Sequence, residues 1–265
     1  MYRFEYHRAK DIGDAVARRQ AAEDGLYLAG GMTMVPTLRQ RLAAPSDLID
    51  LAGIAALKGL EEADGSLRIG AMETHADVAA SALVRDRIPA LSGLAGGIGD
   101  PQVRNRGTLG GSVANADPAA DYPAAVLGLG ATIHTDRRTI AADDFFCGLF
   151  ETALEDDELI TAISFPVPKR AAYRKFKNPV SRYAIVGVFV ADFGDHVRLA
   201  VTGAAASIFR LPEMEAALAG EFTAAAIKQI TVEAAEMNRD LHAGTGYRAH
   251  LVGVMARRAV EAANG

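Results

Sequence analysis

A chain of 265 residues, half of them apolar and 23% charged, is long enough to bury a substantial core and has an ordinary globular composition. Its net charge of −5 gives no electrostatic footprint for nucleic acid or an anionic membrane, and its longest apolar runs, such as 183–191, fall far short of the roughly 20 residues of a membrane span. The single cysteine, Cys147, excludes an intrachain disulfide and any all-cysteine metal or iron–sulfur site in this chain, and the charged N-terminus lacks the apolar segment of a signal peptide, so a cytoplasmic protein is expected.

Asp11 precedes Ile12, Ala15, Val16 and Arg19 at helical spacing, which predicts a capped helix. "GLYLAGG" (25–31) reads as a short buried strand ending in a tight turn. Thr33 is then placed to cap a helix over "MVPTLRQRL", with Pro36 in its first turn. "DLIDL" (47–51) and "SLRIGAM" (66–72) read as strands, and alanine-rich helices follow near 76–83 and 87–96. Asp121 precedes another short helix, "YPAAVLGLG", where it is a good N-cap. "ATIHT" (131–135) and "ELITAISFPVP" (158–168) are strand-like, and the basic, two-proline stretch 168–179 reads as a connector. "YAIVGVFVADF" and "VRLAVTGAAAS" flank Gly-Asp as a hairpin. Ile227, Ile230, Ala234 and Met237 recur at helical spacing, and a last amphipathic helix covers "YRAHLVGVMARRAVEAA". The order predicts an α+β protein.

Two Gly-Gly pairs stand out, "AGGMT" (29–33) and "TLGGS" (108–112). Glycine lets a chain turn sharply and present its N–H groups to an anion at close range, and a following helix adds the positive end of its dipole. One such pair is often steric. Two of them, each leading to a small hydroxyl residue, suggest a ligand with two phosphates held from both sides, as in a dinucleotide.

Five segments in chain order, "AGGMTMVPTLRQR", "RIGAMETHADVA", "VRNRGTLGGSVANADPAADYPAAVLGLGATI", "FFCGLFETALEDDELITAISFP" and "YRKFKNPVSRYAIVGVFV", resemble the FAD-binding medium subunits of the molybdenum hydroxylase (xanthine oxidase) family, nearest to its carbon monoxide dehydrogenase branch. The resemblance covers almost the whole chain. It implies the two-subdomain FAD-binding fold of the vanillyl-alcohol oxidase type in residues 1–173, with subdomains of about 1–53 and 54–173. A small C-terminal domain, 174–265, would follow as a three-stranded antiparallel sheet with helices. It further implies that FAD pyrophosphate binds main-chain N–H groups of Ala29, Gly30, Gly31, Met32, Thr33 and Met34 and of Thr108, Gly110, Gly111 and Ser112.

Asn115 and Asp121 match positions near the flavin and its ribityl chain, Leu159 a position lining the flavin, Lys177 a lysine near the ring, and Tyr183 an aromatic residue covering one ring face. Met32 departs from the family, which more often has a polar residue there. The implied partners are a large molybdopterin-binding subunit carrying the molybdenum cofactor and a small subunit with [2Fe–2S] clusters, in a dimer of heterotrimers.

The residues also have plainer readings. Asp121 would repel a diphosphate, so it suits only the hydroxyl-bearing part of such a ligand. Lys177 is one of six lysines, and a cation beside a flavin favours its anionic reduced form; Lys175, two residues earlier, is the alternative. Tyr183 opens an apolar strand and so has a packing role open to it. Arg104 and Arg106, which flank Asn105 before the second loop, are placed to reach phosphate or a partner subunit, with a surface role equally open to them. His75 reads as structural and Cys147 as a small buried residue. No catalytic residue and no metal site is expected within the chain. A self-contained flavoenzyme of the same fold and an FAD-free scaffold are the rival readings, and Gly111→Val is expected to abolish FAD binding.

Overall fold

The computed structural model describes residues 1–265 and contains three principal sheets. The first is parallel, in the order β1 (Glu5–Arg8), β3 (Asp47–Asp50), β2 (Gly25–Leu28). The helix Ile12–Ala21 connects β1 to β2, and Asp11 caps it by accepting from the Asp14 N–H at 2.8 Å. Strand β1 was not expected, because its side chains are mostly exposed and it carries no apolar alternation; pairing with β3 makes it a strand.

The second sheet is antiparallel, in the order β4 (Leu60–Ala63), β5 (Ser66–Gly70), β10 (Ile160–Pro166), β6 (Thr132–Thr135), β7 (Thr139–Ala141). A small hairpin, β8 (Phe146–Gly148) and β9 (Glu151–Thr152), leaves Cys147 exposed, not buried as expected. Short helices cover this sheet. They run over His75–Ala80, Ala82–Arg87 and Pro89–Gly96, three pieces where two were expected, because Ser81 and Pro89 each restart the backbone. Gln20 Nε2 donates to Asp157 at 2.5 Å and Tyr27 Oη to the Asp157 carbonyl at 2.9 Å, which ties the first sheet to the loop before β10.

The third sheet runs β11 (Arg170–Lys177), β12 (Ala184–Asp192), β13 (Val197–Thr202), β14 (Phe209–Arg210). It has four antiparallel strands where three were expected; the additional edge strand is only two residues long. The basic stretch 168–179 is not a connector. It is mostly β11, an edge strand, where exposed Arg174 and Lys177 suit an unpaired flank and both prolines lie outside the paired residues.

Strand β12 is buried along its whole length. Val186, Val188 and Val190 face the helix Thr245–Ala263 through Leu251, Val252 and Met255, while Phe189 and Ala191 face the core that includes Ala124 and Leu127. Period-two alternation therefore puts apolar residues on two covered faces, and the sequence reads as an unbroken apolar run.

The stretch holding Ile227, Ile230, Ala234 and Met237 is not helical. Its backbone bonds step by three, as in Lys228 N–H to Ala225 and Ile230 N–H to Ile227, and the β-branched run Ile230-Thr231-Val232 resists helix continuation. Ile227 and Met237 still reach the same apolar cluster, by turns.

Candidate functional site

Strand β2 ends at Leu28 and the chain turns through Ala29–Thr33 into the helix Met34–Arg39. Gly31 has φ of +76°, a conformation that glycine adopts without cost. None of the N–H groups from Ala29 to Met34 donates to a protein acceptor. A run of unpaired, partly exposed amides has the donors an anion needs. Thr33 does not cap the helix: its backbone is itself helical, φ −97° and ψ −49°, so its hydroxyl cannot reach back and stays free.

The second glycine pair behaves differently. Gly110 and Gly111 lie inside the first turn of the helix Leu109–Asn115, capped by Thr108, whose hydroxyl accepts from the Gly111 N–H at 3.2 Å. Three more amides are occupied, Leu109 donating to Glu73 O, Gly110 to Ala71 O and Ser112 to Thr108 O, while the Thr108 N–H has no protein acceptor. Main-chain phosphate binding by Gly110, Gly111 and Ser112, as the resemblance implied, has no free amide here, because Gly110 pairs with Ala71 and the Gly111 and Ser112 amides bond back to Thr108. What it offers is the hydroxyl hydrogens of Thr108 and Ser112, neither of which has a protein acceptor.

Its glycines have a packing reason. A Cβ on Gly110 would lie 2.5 Å from the Ala71 Cβ. A Cβ on Gly30 would fall on the Arg106 carbonyl, and one on Gly111 would lie 3.5 Å from the Ala29 Cβ. Gly30 thus packs backbone to backbone on Arg106 and Gly107, the residues that lead into the second motif.

Together the two motifs form one end of a cleft of about 660 Å³, well within the range of small-ligand sites. Ala29 to Met34, Thr108, Gly110, Gly111, Ser112, Asn115, Asp121, Leu159 and Tyr183 all line it. Leu159 is buried and packs with the core of the first sheet, and half-buried Asn115 has no protein partner for its amide. Met32 sits at the mouth, 37% exposed. Tyr183 leaves a tight turn in which Asn178 Oδ1 accepts from the N–H groups of Val180 and Ser181. Burial, with Asp117 and Asp121 nearby, pushes its phenol above the ordinary range.

Lys177 is the exception. It is exposed at the end of β11, where pairing with β12 becomes irregular, and it does not line the cleft. Lys175 is the inward lysine: its Nζ donates to Asp121 Oδ2 at 2.8 Å and to Gly97 O at 3.1 Å. Asp121 is likewise not a helix cap, since its backbone is helical and its carboxylate turns instead to Lys175 and to the Tyr173 hydroxyl at 2.5 Å.

Sequence reasoning did not place His75, Asp117, Gly99 and Val103 in the cleft wall; the first two and Val103 lie inside the resembling segments, but His75 was read as structural and the others as no contact at all. His75 is 5% exposed, its Nδ1 has no partner, and its ring lies 5.3 Å from that of Tyr122. Burial, assisted by Arg104, pulls it down to about 4. The unfolded chain therefore binds a proton that the folded chain refuses between pH 6.5 and 4, and this part of the stability, full above 6.5, falls as pH falls. The expected loss approaches roughly 3 kcal/mol by pH 4, and thermal unfolding of His75→Leu should show a flatter acid limb than the parent.

The donors fit FAD. An amide cradle suits its anionic pyrophosphate, hydroxyls and a carboxylate suit the hydroxyl-bearing part, and an aromatic ring at the mouth suits the flavin. Residues 2–168 match the family described as the FAD binding domain in molybdopterin dehydrogenase. The chain is 36% identical, over 98% of its length and 97% of the relative's, to the carbon monoxide dehydrogenase medium chain of Hydrogenophaga pseudoflava. It is 35% identical to the nicotine 6-hydroxylase medium subunit of Paenarthrobacter nicotinovorans, covering 96% and 95% of the two chains. The structure superimposes on carbon monoxide dehydrogenase from H. pseudoflava with a TM-score of 0.89 at 37% identity, over 98% and 97% of the two chains. Quinoline 2-oxidoreductase from Pseudomonas putida 86 gives 0.85 at 26% identity, over 98% and 96%. The chain belongs to the FAD-binding medium subunits of the molybdenum hydroxylases, a family of oxidoreductases.

Proposed function

We propose that this chain binds FAD in the cleft between its glycine motifs and relays electrons from [2Fe–2S] clusters of a small partner subunit to an external acceptor. The unpaired amides of Ala29–Met34, with the Ser112 hydroxyl and the hydroxyl hydrogen of Thr108 in the same cleft, carry this reading. Bound FAD would supply the redox chemistry. The chain's own residues bind and orient it: the first loop takes the pyrophosphate, Asn115 and Asp121 the hydroxyl-bearing arm, and Leu159 and Tyr183 the ring. Substrate hydroxylation belongs to a large molybdopterin-binding subunit, and the complex is a dimer of heterotrimers in the cytoplasm.

In this reading residues up to about 173 form the FAD-binding domain, of the vanillyl-alcohol oxidase type with subdomains meeting near residue 53, and the remainder forms the C-terminal domain. The experiment is co-purification from the native host followed by metal and flavin analysis. Molybdenum, iron and FAD in a three-subunit complex are expected; turnover of a substrate by this chain alone, without molybdenum or iron, overturns the assignment.

A further inference from the structure

The segment 117–121 forms one wall of the cleft, and the third sheet holds it. Thr202 Oγ1 donates to the carbonyls of Pro118 and Ala120 at 2.8 and 2.6 Å. Gly203 N–H donates to Pro118 O at 2.6 Å and Ala184 N–H to Ala119 O at 3.3 Å. The next residue, Asp121, is gripped by side chains of β11, with Tyr173 Oη on Oδ1 and Lys175 Nζ on Oδ2. Gly187 on β12 lacks the side chain that would strike the Tyr173 hydroxyl, so the sheet makes room for this grip. Asp121 is 6% exposed and still lines the cleft.

Two donors, one cationic, aimed at the two oxygens describe an ionised carboxylate, and each oxygen keeps a lone pair for the cleft. Burial holds this carboxyl above its ordinary range, and the Lys175 charge and the two hydrogen bonds limit that rise. The groups around it are Lys175 and Tyr173 on β11, Tyr122 on its own helix, Asp117 on the preceding loop and Tyr183 on the loop after β11. Lys175 is the only cation among them.

We infer that Lys175 and Tyr173 are positioning residues, which hold Asp121 ionised and aimed so that it accepts hydrogen bonds from the hydroxyl or imide groups of FAD. The inference rests on the FAD reading above and adds the role of the C-terminal sheet: it shapes the cofactor site without lining it. Lys175 acts through Asp121 and is not a free positive charge beside the ring.

The test is FAD titration of the full chain, followed by quenching of flavin fluorescence from pH 5.5 to 9, with thermal unfolding of each apo variant as a control for folding. Lys175→Met leaves Asp121 buried without its cation, so the carboxyl takes a proton at neutral pH and stops accepting. FAD affinity is expected to drop roughly tenfold at pH 7 and to recover with rising pH, while the parent stays flat. In an Asp121→Asn background, which has no carboxylate to hold, adding Lys175→Met should produce no further loss and no pH slope. Tyr173→Phe removes one hydroxyl with little change of shape, and should show the same pH slope in smaller measure even if Lys175→Met folds poorly.

Unchanged affinity in both single variants overturns the inference. So does an equal, pH-independent loss with and without Asp121, which marks a purely structural role. Failure of the parent itself to take up FAD overturns the binding reading as well, and is seen before any variant is made.

Discussion

Replacing Gly30 by alanine is expected to remove FAD binding altogether. The new Cβ has no space, because the Arg106 carbonyl already occupies it and the Gly107 Cα is 3.0 Å away. The neighbour is backbone, so no rotamer change relieves the clash; the first loop must lift off the segment that leads into the second motif. The cost to stability is about 1–3 kcal/mol, the usual range for overpacking. The cost to binding is larger, because the cradle of unpaired amides and the hydroxyls of Thr108 and Ser112 separate. Isothermal titration with FAD and thermal unfolding of the apo chain measure the two costs independently. Gly111→Val is expected to lose FAD by a different route: its Cβ would lie 2.8 Å from Thr108 Oγ1, displacing the helix cap and pushing on Ala29.

The second large effect is on the fold. Phe189 is fully buried at the centre of β12, its ring is stacked 6.3 Å from that of Tyr173, and it packs so closely on Gly128 that a Cβ there would lie 3.0 Å from the ring. Phe189→Ala should destabilise the chain by about 3–5 kcal/mol, read from chemical denaturation, since the rigid sheet and helix collapse little into the void. It also removes the support of Tyr173. The variant should therefore bind FAD more weakly than its remaining folded fraction accounts for, whereas a cavity elsewhere in the core, such as Val252→Ala, should not.

How much of this was legible before the structure depends on the kind of signal. The helix after Asp11 and the last helix carry caps or long apolar periodicity, and both form where the spacing places them. The β12–β13 hairpin carries two apolar runs around Gly194-Asp195 and pairs accordingly. Strands β1 and β4 have no such pattern, since they are shallow and held mainly by their neighbours' backbone. Residues 227–237 mislead for the opposite reason: apolar anchors at helical spacing are reached by consecutive turns.

In the site, the glycine pairs were legible as a pair but not as unequal partners. Only the folded contacts, with residues 71–73 and with the Thr108 cap, reveal that the amides of Leu109 to Ser112 are already used. Lys177 and Lys175 were both open from the sequence, and only the contacts of Lys175 with Asp121 and Gly97 decide which one turns inward. The buried Asp121–Lys175–Tyr173 cluster joins residues more than fifty positions apart, and no local pattern announces it.

In the proposed reading this chain builds an FAD site from the amides of Ala29–Met34. The most direct measurement is the flavin spectrum and stoichiometry of the full chain after incubation with FAD and gel filtration, alongside Gly30→Ala. One FAD per parent chain, with none retained by the variant, is the predicted result. A folded parent chain that emerges colourless, or a variant that retains FAD as the parent does, contradicts it.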